Sequence, residues 1–171
     1  MSSVTGILKD NFGEPPHYDP WYASRGKALH HAIFLHNKGT LDTIPEEIKG
    51  RFEAYLKFAG QTGFVPKWSE LQLYSKKYHF AGTPDMVGSI SGSYNLTLVD
   101  IKSSLEPKVE LQIGGYCLLY EENFRRIISR ACAVELKANG NYNIKWIKDI
   151  KRAKRVFLAT LTISGWQKET R

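Results

Sequence analysis

Cysteine is scarce in this chain: Cys117 and Cys132 are the only two in 171 residues, too few for a disulfide framework or a four-cysteine metal cluster. Long apolar runs are missing too. None approaches the ~20 residues that a membrane-spanning helix needs, so no membrane partner is expected. The opening Met1-Ser2-Ser3-Val4-Thr5-Gly6 lacks the charged and apolar regions of a secretory leader, and a cytoplasmic location is the expectation. Internal repeats and low-complexity tracts are absent as well. What is present is an ordinary globular composition, 42% hydrophobic and 12% aromatic. A single domain over 1–171 with a core of its own is therefore expected.

The formal charge is +7, and its distribution is uneven. Through Tyr120 there are 12 Lys+Arg against 12 Asp+Glu; from Glu121 onward there are 12 against 5, so the second part carries the whole excess. A basic segment beside a neutral, acid-centred part suits a partner with a phosphate backbone. A solvated helix face rich in lysine would look the same.

Residues 1–23, with Gly13, Pro15, Pro16 and Pro20, read as an irregular lead-in. Ser24 then offers an N-cap for a helix over 25–37, and Pro45 opens a second helix running to about Gly60. From Lys67 the apolar period shortens, predicting three meandering strands over 68–74, 78–90 and 95–102. In the third, Leu96, Leu98, Asp100 and Lys102 share one face while Val99 and Ile101 take the other, so a central, buried strand is expected. A helix over 107–123 follows, then strands over 126–136 and 142–147 joined by the turn Asn139-Gly140-Asn141. Asp149 caps a basic helix to about Ile163, within a helix-and-tail segment over 148–171.

The residues that bear chemistry lie in the middle. Gly82-Thr83-Pro84-Asp85 is followed after a turn-rich stretch by Val99-Asp100-Ile101-Lys102, a spacing that suits a β-hairpin bringing Asp85 beside Asp100 and Lys102. Two adjacent aspartates suit a hard divalent cation, which leaves room for water and phosphate. Lys102, two residues beyond Asp100, points to the same side of its strand. Taken singly, Asp85 also reads as a turn aspartate, and Asp100 with Lys102 as an ion pair at a strand end. That pair is costly on a central strand unless well satisfied.

The sequence GTPD…VDIKSS resembles the PD-(D/E)xK nuclease superfamily, in particular its RecB-like exonuclease branch. Four further positions carry the resemblance: His30 in Gly26-Lys27-Ala28-Leu29-His30, Glu70 in Trp68-Ser69-Glu70-Leu71, and the pair Gln112 and Tyr116 as QxxxY. It implies an α/β (α+β) fold with a restriction-endonuclease-like core, a central mixed β-sheet of about five strands flanked by helices in the order αα-βββ-α-ββ-α. It also implies Mg²⁺ or Mn²⁺, one or two ions, held by Asp85, Asp100, Glu70, His30 and the backbone carbonyl of Ile101. Lys102 would position the attacking water, with Gln112 and Tyr116 in support. Some relatives hold an iron–sulfur cluster on four cysteines, which this chain does not have.

Each added position has a plainer reading. Glu70 can be an exposed strand glutamate, Tyr116 a core tyrosine beside a surface glutamine, and only the glycine-to-histidine spacing selects His30 over His31. Gly114 and Gly115 are unusual in a helix, where each costs about 1 kcal/mol relative to alanine, and a close backbone approach to a sheet or a nucleic-acid strand is expected there.

The function these readings imply is a metal-dependent DNA nuclease, an exonuclease acting on linear single- or double-stranded ends in recombination, repair or phage DNA processing. A bacterial or phage-infected cytoplasm fits it, with a separate recombinase, annealing protein or helicase as partner. The DNA backbone would be tracked by Lys148, Lys151, Arg152, Lys154 and Arg155, with Gln112 near the cut. A structure-specific endonuclease of resolvase or restriction type, or a non-catalytic nucleic-acid-binding module on the same fold, are the rivals.

Overall fold

The computed structural model describes residues 2–13 and 20–170. Its centre is β6 (Leu96–Lys102), whose alternation divides the core in two. Leu96 and Leu98 join one apolar cluster with Val87, Ala131 and Ala133, whereas Val99 and Ile101 join another with Met86, Cys132 and Val134. The sheet around β6 has five strands in the order β2-β5-β6-β7-β8, the others being β2 (Val65–Ser69), β5 (Met86–Ser89), β7 (Arg130–Leu136) and β8 (Tyr142–Trp146). β6 and β7 run parallel and the other pairs antiparallel, so the sheet is mixed.

Helices cover both faces. α2 (Pro20–Asn37) and α3 (Glu46–Thr62) bury Leu29, Ile33, Phe52, Tyr55 and Phe58 against one. α4 (Val109–Phe124) and α5 (Ile150–Glu169), with α1 (Val4–Phe12), bury Ile113, Tyr116, Phe157, Val4 and Ile7 against the other. The result is a three-layer α+β architecture with five helices among the described residues. No helix among those residues is long and apolar enough to cross a membrane. Both cysteines are buried and free, and burial pushes the Cys132 thiol up to about 12.

Three expectations need correction. The lead-in over 1–23 is not irregular where it is described: Ser2–Ser3 forms β1 beside β4 (Phe80–Gly82), and α1 follows at once. Ser3 caps α1 by accepting from the Gly6 amide at 3.0 Å, and Val4, Ile7 and Leu8 give the helix its buried stripe. The prolines expected to keep this region irregular do not act alike. Pro20 instead occupies the first turn of α2, placing Ser24 inside that helix, while Pro15 and Pro16 lie outside the described residues.

The first two strands of the meander are each broken in two. β2 ends at Ser69, because Glu70 takes a left-handed conformation with φ 52°. The second strand is interrupted at Thr83-Pro84, between β4 and β5. The intervening β3 (Leu73–Ser75) and β4 leave the main sheet as a hairpin, held to α4 by Glu122. That carboxylate accepts from the Ser75 hydroxyl at 2.6 Å and from the Lys76 amide at 2.8 Å.

Gly114 and Gly115 have α5, rather than a sheet, as their close neighbour. A Cβ at 114 would lie 2.5 Å from the Ala153 carbonyl group, and one at 115 would lie 2.9 Å from the Phe157 ring.

Candidate metal centre and active site

The β5–β6 ladder pairs Met86 with Val99, and extending that register by one residue sets Asp85 across from Asp100. Pro84 cannot donate to a ladder, so the strand frays there and frees the Asp85 side chain to turn back over β6. Its Oδ2 accepts from the Ile101 amide at 2.6 Å, and its Oδ1 lies 3.1 Å from Nδ1 of His30. One arm of the hairpin and a separate helix thus fix one carboxylate.

His30 reaches this point from α2, beside the buried Leu29 and Ile33. Glu70 arrives through the kink that ends β2. Its amide donates to the Asp85 carbonyl at 2.9 Å, and its Oε1 sits 3.5 Å from His30 Nδ1. A left-handed non-glycine residue is uncommon and strained; here the kink turns a side chain that would otherwise continue the strand alternation toward Asp85. Asn37 holds the approach from α2, donating to the Ser69 hydroxyl at 2.9 Å while accepting from the Tyr55 hydroxyl at 2.6 Å.

His30, Glu70 and Asp85 each offer a ligand atom, and these atoms lie within 4.8 Å of one another. A slot of about 10 Å³ is lined by these three together with Ile101, room for about one water or ion. Asp100 stands next to this group rather than in it. Its carboxylate is 1% exposed, Oδ2 lies 2.6 Å from the Lys102 ammonium, and Oδ1 receives no hydrogen bond among the described residues. A buried carboxylate oxygen without a donor is expensive. A hard cation reached by oxygen ligands and one imidazole would satisfy it, so the donor set fits a divalent ion such as Mg²⁺ or Mn²⁺.

The electrostatics follow from that crowding. Burial raises Asp85, but the His30 imidazolium, Lys102 and the Ile101 amide outweigh it and hold the carboxyl below its ordinary range. Asp100 behaves oppositely: burial and the neighbouring Asp85 charge exceed the pull of Lys102 and push it up to about 7. Two adjacent carboxylates have been driven apart. Burial pulls His30 down, yet Asp85 and Glu70 reverse this and hold it up to about 10. Lys102 is likewise raised, its burial outweighed by the two aspartates.

Gln112 and Tyr116 meet on α4, with Gln112 Nε2 donating to the Tyr116 hydroxyl at 2.9 Å. Burial, then the charges of Asp100 and Asp85, push that hydroxyl well above its ordinary value, so it stays a neutral phenol. Gly82 makes room for it, since a Cβ there would come within 2.8 Å of the Tyr116 ring. His31, one residue from His30, is exposed and stacks near Phe34.

Of the basic residues expected to track DNA, Lys151, Arg152 and Arg155 lie exposed on α5 and have no acidic partner among the described residues. Lys148 is exposed just before the Asp149 cap. Lys154 does not join them; it turns inward onto Glu121 at 2.7 Å. Sequence reasoning missed α1, whose Thr5 and Lys9 line a cavity beside Lys102 and Gln112. The apolar spacing of Val4, Ile7 and Leu8 after a capping serine was the available signal.

No protein-family profile matches the chain, and no curated protein sequence matches it either. Among solved structures, it is similar in fold to a candidate exonuclease from Eubacterium rectale, with a TM-score of 0.55, 8% identity, and 95% of this chain and 79% of that one covered. Two structures of LHK-Exo, an alkaline exonuclease from Laribacter hongkongensis, are also similar. The one in complex with dAMP has a TM-score of 0.46 at 14% identity, covering 99% of this chain and 92% of that one. The other has 0.39 at 15% identity, covering 98% and 91%.

Proposed function

We propose that this chain is a divalent-metal-dependent DNA nuclease of the PD-(D/E)xK type, a single catalytic domain that removes nucleotides from DNA ends. The observation that carries the reading is the placement of Asp100. It is a buried carboxylate beside Lys102, with an oxygen that lacks a donor among the described residues, across a hairpin from Asp85 and its partners His30 and Glu70. Buried charged groups are ordinarily paired or hydrogen-bonded, so an unmet carboxylate oxygen beside other acids marks a candidate functional site. The fold shared with a candidate exonuclease is compatible with this use.

Asp85, Asp100, Glu70 and His30 would hold the cation, with the Ile101 carbonyl available from the strand between them. When bound, the cation supplies Lewis-acid polarisation of the scissile phosphate and acidifies water. Lys102, held as an ammonium by Asp100, places a positive charge and three donors where a phosphate oxygen or the attacking water must sit. The Gln112 amide, fixed by the Tyr116 phenol, presents a neutral polar group on the same side. Lys151, Arg152 and Arg155 are the candidates for backbone contacts farther away.

One observation favours a structure-specific endonuclease as the second reading. A cleft of about 500 Å³ opens on the side of His30, Glu70 and Lys27, and a cavity of about 260 Å³ on the side of Lys102 and Gln112. A continuous strand could cross such a site. Linear end-labelled DNA and covalently closed circular DNA, each with Mg²⁺, Mn²⁺ or EDTA, separate the two. The exonuclease reading requires metal-dependent release of nucleotides from linear DNA and an intact circle; cutting of the circle would replace it with the endonuclease reading, and no metal-dependent cleavage of either would leave only the binding module.

A further inference from the structure

Beyond Lys102 and Gln112 the surface continues as a groove. The cavity of about 260 Å³ beside them is walled by α1 through Thr5, Leu8 and Lys9, and by Ser104. It shares Glu106 and Lys108 with a second cavity of about 460 Å³, which reaches Leu111, Arg152, Val156 and Phe12. The two are therefore contiguous, and one end of the groove is the proposed cleavage site.

Its lining is unlike a surface for the outside of a duplex. Leu8, Val109, Leu111 and Val156 form apolar walls, and the Phe12 ring stands 53% exposed. A duplex presents phosphates outward and keeps its base faces stacked on each other, so such walls offer it little. Unstacked bases offer apolar faces, and an exposed aromatic ring is a platform for them. The charges agree. Both carboxylates in the groove are matched by lysines, Glu106 by Lys108 at 2.9 Å and Glu110 by Lys145 at 3.2 Å. Arg152, without an acidic partner among the described residues, sets a positive sign at the far end.

We propose that this groove holds the unpaired strand adjacent to the scissile phosphate, about one nucleotide per cavity, with a base stacked on Phe12 and a phosphate on Arg152. The inference rests on the nuclease reading and deepens it: the substrate is a single strand, or an end that frays before it is cut. α1, a helix away from the metal ligands, becomes a strand-binding element.

The test is binding of a short oligodeoxyadenylate and of a blunt duplex to the full chain in EDTA, followed by fluorescence anisotropy. Phe12→Ala should weaken binding of the single strand by about five- to a hundredfold, the range that a lost base–aromatic stack carries, while duplex binding changes far less. Phe12→Trp should restore strand binding. Tyr94→Ala, an exposed aromatic at the opposite end of the β5–β6 hairpin, should leave it unchanged. Arg152→Gln should lower the salt slope of strand binding by about one.

Wild-type affinity for the single strand in Phe12→Ala, or equal losses for strand and duplex, would overturn the proposal. A wild-type protein that shows the Phe12-dependent preference yet releases no nucleotide with Mg²⁺ or Mn²⁺ would sink the nuclease reading and leave the groove standing. Cleavage by wild type, with strand binding indifferent to Phe12, would do the reverse.

Discussion

Raising the pH in EDTA should destabilise this protein, and the structure sets both sign and size. The folded-state pKa of His30 is held at about 10 against an ordinary 6.5, so between these values the folded chain keeps a proton that the unfolded chain has lost. Its stabilising contribution is complete below 6.5 and disappears as pH rises through about 10. Each pH unit inside that window removes up to about 1.4 kcal/mol. From pH 6.5 to 8.5 the limit is about 3 kcal/mol, and with the side chain 31% exposed we expect about half of it. Asp100 acts with the same sign lower down, because its raised pKa makes ionisation costly as pH passes from the ordinary value toward about 7. Asp85, which is lowered, gives a contribution that is complete and constant across this range and is lost only in acid. Urea unfolding at pH 5.5, 7.0 and 8.5 measures the effect. Stability should fall steadily in the wild type and much less between pH 7.0 and 8.5 in His30→Gln. Mn²⁺ should reverse the trend, since a cation takes the neutral imidazole and ionised carboxylates. A flat or rising profile in EDTA, or an identical fall in His30→Gln, would refute the reasoning.

Gly114→Ala should destabilise despite the better helix propensity of alanine, by about 1–3 kcal/mol measured by denaturant unfolding, because the new methyl would press on the Ala153 backbone of α5. His30→Ala should weaken Mn²⁺ binding by calorimetry at least tenfold while His31→Ala leaves it alone, since His30 contacts Asp85 and Glu70 and His31 faces solvent. Replacing Lys151, Arg152 and Arg155 together with glutamine should weaken DNA binding across sequences and flatten its salt dependence by about two to three counterions; an unchanged slope would make this face merely solvated.

How much of this could be read from the sequence depended on whether a residue's position follows from its neighbours in the chain. The alternation 96–102 has one consistent reading, so the central strand, its two faces and the meeting of Asp85 with Asp100 were legible. So was the Asp149 cap, which accepts from the Arg152 amide at 2.8 Å. Glu70 was legible as a residue but not as a geometry: its left-handed backbone comes from contacts with Asp85, a tertiary cause that no local pattern records. The β3–β4 excursion was hidden for a similar reason, being fixed by Glu122 some distance along the chain. Gly114 and Gly115 announced a close approach without naming the partner. Proline and glycine after α1 outweighed a short, real apolar stripe, and the element lining the groove was lost with it.

The most direct measurement of the central claim compares wild type with Asp100→Asn on end-labelled linear DNA in Mg²⁺ or Mn²⁺, with binding followed in parallel. The substitution keeps the shape of the side chain and removes the charge next to Lys102. The account predicts that the wild type releases nucleotides only with metal, and that the variant binds DNA as before with turnover reduced by several orders of magnitude. Metal-dependent cleavage at near wild-type rate by Asp100→Asn would contradict it.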